Sequence, residues 1–278
     1  MATMAGNQSD TDEALARAAV AALLSETDLT PKPGLADARQ LEALVTGLDL
    51  SVLRWSAKSL APGLAAMASA ARRNGEPSQS LREELGSIGR STEWPMLRAA
   101  GGLGTHHGAI WVLGLLVAAA ALEPAARGEE LTAAAKRIAA FPDRRAPRRP
   151  SPGSTVSARY GAAGARGEAR AGFPHVRRGL KALRTARSAG TDEDRARLDA
   201  LLTVMSTLQD TALLHRAGPH ELRLTQAGAR TVLDAGGTAT PEGAEALRVF
   251  DADLRARKLR PRGSSRLLAG ALFVDGLR

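Results

Sequence analysis

The chain has 278 residues, 44% of them hydrophobic, and 38 basic against 29 acidic side chains give a formal charge of +9 and a pI near 10.9. There is no cysteine, which excludes disulfides, thiolate metal sites and a cysteine nucleophile. Aromatics make up only 3%, so Ala, Leu and Val must build the core, which favours closely packed helices over a sheet.

In chain order, Met1 to Asp12 is polar and acidic and is not expected to act as a secretory signal, so a cytoplasmic protein is expected. Asp12 to Glu26 carries an apolar stripe at Leu15, Ala18, Ala19, Ala22 and Leu23, the spacing of a helix face. Thr30-Pro31-Lys32-Pro33-Gly34 ends it. Residues 38–73 read as helix, broken near Thr46-Gly47 and again near Pro62-Gly63. Ser80 to Ala100 reads as the next helix, with Ser80 and Glu83 as a capping box and a kink at Pro95. After the Gly101-Gly102-Leu103-Gly104 loop, Thr105 is placed to cap a helix running to Leu122. Its apolar stretch, Ala109 to Leu122, is too short to span a bilayer and reads as a buried helix.

Glu129 to Ala140 is a further helix. A Pro- and Arg-rich loop follows at about 142–155 and decorates one domain covering residues 1–278. A Gly/Ala-rich stretch spans Tyr160 to Gly172, and helices fit 175–187, 192–215, 219–235, 242–257 and 264–277. No segment alternates with β-branched enrichment, so the fold class is all-α, a multi-helix bundle-like body.

The charge suggests a polyanionic partner. However, only five basic residues are Lys, and Arg is scattered along an Ala-rich chain, the composition of a GC-rich gene. Most of the charge therefore reads as coding bias, with a few Arg facing phosphates. Specific nucleic-acid binding is not expected, since aromatics for base stacking are scarce. There is no G-x-x-x-x-G-K-[ST] and no strand leading into G-x-G-x-x-G.

Several motifs are suited to phosphate chemistry. Thr30 to Asp37 is a stiff turn offering Lys32 and Asp37, a point cation and a carboxylate suited to a phosphate and its Mg²⁺. Gly101 to Gly108 leads into a helix whose N-terminus favours an anion. Arg166 and Glu168 stand two apart among small residues, and Asp210, His215 and Arg216 fall near one helix end. Each motif has a bland alternative: a connector, a tight turn, a solvated ion pair.

In this order the segments TPKPGLAD (30–37), IGRSTEWPM (88–96), GGLGTHHGAIWVLGLL (101–116), YGAAGARGEARAGFP (160–174), LQDTALLHRAG (208–218) and RGSSRLLAGALF (262–273) resemble the triphosphoribosyl-dephospho-CoA synthase family. The resemblance implies an all-α, ATP-dependent transferase. Such an enzyme moves the triphosphoribosyl group onto the 2′-hydroxyl of 3′-dephospho-CoA and releases adenine, with Mg²⁺. It also implies a link to the acyl-carrier subunit of a malonate or citrate decarboxylase. Carried onto this chain, it assigns Thr30, Lys32, Gly34, Thr105, Gly108, Arg166, His215, Arg216, Gly263 and Ser264 to ATP or substrate. It assigns Asp37 and Asp210 to Mg²⁺, Glu168 or Glu93 as base, and His106 to the adenine or ribose. The chain departs from the family pattern at Gly104, Ala212 and Arg266, where the family has Asn, Asn and Asp, and near Thr46 to Leu50, where a His and an Asp are missing. Another acceptor hydroxyl, a non-catalytic nucleotide-binding homologue and a basic nucleic-acid binder stand as alternatives.

Overall fold

The computed structural model describes residues 2–39, 49–147 and 151–277, without the side chains of residues 2–8 and 152. Its elements are α1 (Ala2–Asp28), α2 (Leu50–Lys58), α3 (Ala61–Asn74), α4 (Gln79–Ala99), α5 (His107–Leu122), α6 (Gly128–Ala140) and α7 (Pro152–Tyr160). They continue with α8 (Gly164–Arg170), α9 (Pro174–Ser188), α10 (Glu193–Met205), α11 (Thr211–Asp234), α12 (Pro241–Ala256) and α13 (Arg262–Gly276). No strand occurs among the described residues, so the fold is all-α.

Helix α5 is apolar all round, and Ala109, Ile110 and Val112 to Ala121 are buried, so it forms the centre of the body. Its partner is α13, buried from Leu267 to Val274. The two approach closely because Gly270 has no side chain: a Cβ there would lie 2.9 Å from Val112 Cγ1 and 3.1 Å from Val176 Cγ2. One turn earlier on each helix, Gly108 meets the side chain of Arg266. The two contacts put α5 and α13 side by side in the same direction, with their N-termini together. Around this pair, α1 packs on α3 and α13, α3 on α5, and α9 on α10 and α13. Leu113, Leu116 and Leu268 are fully buried, each worth about 1.5–3 kcal/mol of transfer free energy.

Several boundaries differ from the sequence reading. Ser78, not Ser80, caps α4: it is extended (φ −148°) and its Oγ accepts from Leu81 N at 3.2 Å. Starting there puts Leu81 and Leu85 on the buried face, and α4 continues through Pro95 to Ala99. The break expected at Pro62-Gly63 falls earlier, at Ser59-Leu60, because Pro62 is tolerated in the first turn of α3. The break expected at Thr46-Gly47 lies outside the described residues. Residues 192–215 do not form one helix. α10 stops at Met205, and α11 starts at Thr211 under the Asp210 cap, then kinks at Gly218 (φ 81°), just before Pro219. The loop expected at about 142–155 is shorter, since Ser151 caps α7, and the Gly/Ala-rich stretch is largely helix.

Candidate active site

Four longer helices, α5, α9, α11 and α13, begin around one cavity of about 350 Å³. Its walls include Gly108 and Val112 from α5, Glu168 from α8, His175 and Arg178 from α9, Asp210 at the start of α11, and Arg266 from α13. Helix N-termini carry a partial positive charge, so converging ones favour an anionic ligand.

The chemistry of this cavity centres on Glu168 and His175. After α8 the chain turns sharply at Gly172 (φ 78°) and Phe173 (φ 51°), while Phe173 N donates to the Glu168 carbonyl at 2.8 Å. Pro174 then starts α9, so His175 falls directly over the carboxylate it follows by seven residues. His175 N donates to Glu168 Oε1 at 2.8 Å, and His175 Nδ1 is 2.8 Å from Glu168 Oε2. An ionised carboxylate can only accept, so Nδ1 is the donor in this contact and Nε2 is the ring nitrogen left for other partners. Nε2 lies 3.4 Å from Arg178 Nη1, which also donates to Thr207 Oγ1 at 3.1 Å. A buried carboxylate thus orients an imidazole that lines the cavity, the arrangement of a general base. The sequence reading puts Glu168 itself forward as the base, whereas here its carboxylate is engaged by His175, a residue that reading does not single out. His175 lies one residue beyond the 160–174 segment, and nothing in its neighbours marks it.

Asp210 caps α11 and joins it to α13. Its Oδ1 accepts from Ala212 N (2.9 Å) and Leu213 N (3.4 Å), and its Oδ2 from Gly263 N (2.7 Å) and Ser264 N (3.2 Å). Burial pushes its carboxyl above the ordinary value, against the opposing pull of the Ala212 amide and the Arg266 charge. Four amides fill a carboxylate's four acceptor positions. Asp37 is similarly engaged: Lys32 N (2.9 Å), Arg255 Nη2 (3.1 Å) and the Arg39 guanidinium all donate to it. The two aspartates expected to share a metal are therefore occupied, and no metal-holding group of three or more His, Cys, Asp or Glu occurs among the described residues. These residues do not fit a resident Mg²⁺.

A second, smaller cavity of about 150 Å³ adjoins the first and includes Lys32, Thr105, His106, Arg260 and Arg262. Lys32, expected on an exposed loop, is buried, and its ammonium donates to Glu26 Oε1 (2.9 Å), the Glu26 carbonyl (2.9 Å) and the Thr27 carbonyl (3.2 Å). All three of its protons are held by the protein. Thr105 does not cap α5; its Oγ1 pairs with Ser56 Oγ at 2.6 Å. His106 is buried with Nε2 3.1 Å from the Leu53 carbonyl, and burial lowers its pKa, so it is neutral at pH 7.

The other expected residues divide. Thr30 Oγ1 bridges the Asp28 carbonyl and Ala38 N, and Gly34 (φ 68°) donates to Asp251 Oδ1 at 2.9 Å, so both shape the turn. Gly263 lines the larger cavity, whereas the buried Ser264 does not. Glu93 lies with His107 in a separate groove, its carboxylate 3.7 Å from the ring. Arg166 is exposed, and the partner of Glu168 is His175, not Arg166. His215 and Arg216 point to solvent and are not gathered with Asp210, because five and six residues along α11 they lie on its outer face.

A carboxylate-oriented imidazole, the guanidiniums of Arg178 and Arg266 and converging helix N-termini in one cleft suit a helical enzyme acting on an anionic substrate. Residues 12–278 match the model of the ATP:dephospho-CoA triphosphoribosyl transferase family, and the chain belongs to that family. It is 49% identical over 267 residues to the probable 2-(5''-triphosphoribosyl)-3'-dephosphocoenzyme-A synthase of Stutzerimonas stutzeri, covering 95% of this chain and 92% of the relative. The protein of the same name from Azotobacter vinelandii is 49% identical, with 95% and 91% covered. That from Pseudomonas fluorescens Pf-5 is 50% identical, again with 95% and 91% covered. No solved structure matches the chain. No helix among the described residues is long and apolar enough to cross a membrane.

Proposed function

We propose that the larger cavity transfers the triphosphoribosyl group of ATP to the 2′-hydroxyl of 3′-dephospho-CoA and releases adenine, with His175 as the base. The Glu168–His175 pair carries this reading. His175 Nε2 takes the proton of the attacking hydroxyl, and Glu168 steadies the imidazolium that forms. The new bond joins that oxygen to C1′ of the ATP ribose. The C1′–N9 bond breaks, its electron pair leaves with adenine, and adenine picks up a proton. Displacement at an anomeric carbon passes through an oxocarbenium-like state.

Since neither Asp37 nor Asp210 offers a vacant oxygen, Mg²⁺ would enter bound to the phosphates of ATP. The product would serve as a prosthetic-group precursor for a decarboxylase acyl carrier. Incubating the protein with ATP, Mg²⁺ and dephospho-CoA should release adenine and give a conjugate that keeps three phosphates. Mass spectrometry showing ADP, AMP or pyrophosphate in place of adenine would overturn the proposal. Adenine released only with another hydroxyl compound would keep the mechanism and change the acceptor.

A further inference from the structure

Of the described residues, Arg266 is the one that lines both cavities. Its guanidinium makes no hydrogen bond to any described residue, yet its nitrogens are not among the sealed, unpartnered polar atoms of the interior, so its donors open onto the cavities. The nearest carboxylates do not claim it. Asp210 is filled by four amides, and Glu26 Oε1 accepts from Lys32 Nζ (2.9 Å) and Ser265 Oγ (2.6 Å). Gly108 makes room for it: a Cβ there would lie 2.6 Å from Arg266 Nη1 and 2.7 Å from Nε. A cation so placed, with donors and no acceptor, gains most from an anionic ligand.

The two cavities differ in kind. The larger has apolar walls from Val112, Ala163 and Leu208 and holds the His175 base; the smaller holds Arg260 and Arg262. We infer that Arg266 grips the phosphate chain of ATP where it crosses from the larger cavity to the smaller, placing the ribose beside His175 and the terminal phosphates beside Arg260 and Arg262. This rests on the reaction proposed above. It keeps the guanidinium at the phosphate side of the sugar, away from the positive charge that develops at C1′. A fixed fork of donors suits phosphate oxygens and does at this point what a carboxylate-held metal would otherwise do. Burial, with Arg262 nearby, lowers the Arg266 pKa from its ordinary value, and Asp210 and Glu26 oppose that shift. A bound phosphate would oppose it further.

Calorimetry with ATP, adenosine and inorganic tripolyphosphate tests the inference. Tripolyphosphate alone should bind the wild-type protein and compete with ATP. Arg266→Gln should weaken both polyphosphates by about tenfold to a hundredfold, the usual weight of charge-assisted hydrogen bonds, and leave adenosine binding unchanged. Arg266→Lys should restore part of the loss. If Arg266→Gln does not fold, Gly108→Ala gives the second measurement: it displaces the guanidinium without removing charge and should also weaken tripolyphosphate selectively. Wild-type polyphosphate affinity in whichever of these folds, or an equal loss of adenosine affinity, would overturn the assignment. Tripolyphosphate competition without any adenine release would keep the phosphate site and refute the reaction instead.

Discussion

The turn at residues 30–37 and the Glu168–His175 corner both bury charge, but they use it differently. In the first, Lys32 gives its three protons to Glu26 and Thr27, and Asp37 is surrounded by Arg39, Arg255 and the Lys32 amide. In the second, Glu168 fixes one side of the His175 ring and leaves the other toward the cavity. Charge whose hydrogen-bonding capacity is filled by the protein holds the fold; charge with capacity left over is available to a ligand. Each place holds a buried glutamate, Glu26 in the first and Glu168 in the second, and the difference between them lies in their partners.

The comparison is broken most directly at His175. His175→Ala should lower the rate of adenine release by about a hundredfold to ten-thousandfold, the range for losing a general base, while the urea unfolding midpoint stays near wild type. A large fall in stability with turnover intact would move His175 to the structural side. Lys32→Met tests the other side. It leaves Glu26 buried without its cation and should cost about 3–5 kcal/mol in urea unfolding, with ATP affinity of the folded protein retained. Unchanged stability with lost ATP binding would reverse the comparison and return Lys32 to the phosphates.

A smaller effect sharpens the picture at Asp37. Burial alone would raise its carboxyl, but the Arg39 hydrogen bond, the Lys32 amide and the Arg39 charge together hold it below the ordinary value. A depressed carboxyl contributes stability above its unfolded value of about 3.9 that is lost as pH falls through the folded value. Asp37→Asn should therefore cost about 1–3 kcal/mol at neutral pH and show a flatter acid limb in pH-dependent thermal melts. A parallel acid limb would show that Asp37 is not one of the groups driving acid unfolding.

His106 gives the smallest effect. Burial holds its imidazole below the ordinary value, so protonation favours the unfolded chain. Its contribution is complete above the unfolded value of about 6.5 and declines as pH falls below it, by at most about 1.4 kcal/mol per pH unit. His106→Gln keeps a donor for the Leu53 carbonyl and should remove that slope between pH 6.5 and the folded value. The same slope in the variant would assign it to another group.

Much of this molecule is legible in the chain. The few aromatics, the Ala- and Leu-rich periodicity and the all-round apolar run at 109–122 require buried helices, and the ordered segments from Thr30 to Phe273 carry the family. These are properties of neighbouring residues, which local spacing records. Tertiary structure decided the rest. Pairing Gly270 with Val112 brought Gly108 under Arg266, and the turn at Gly172-Phe173 set His175 over Glu168. Lys32 looked available because its partners lie in the preceding helix, and Asp37 because Arg255 lies 218 residues away. A side chain's type is written in the sequence, but whether its donors and acceptors are already filled depends on groups that only folding brings within 3 Å or so, and that separates a structural charge from a functional one.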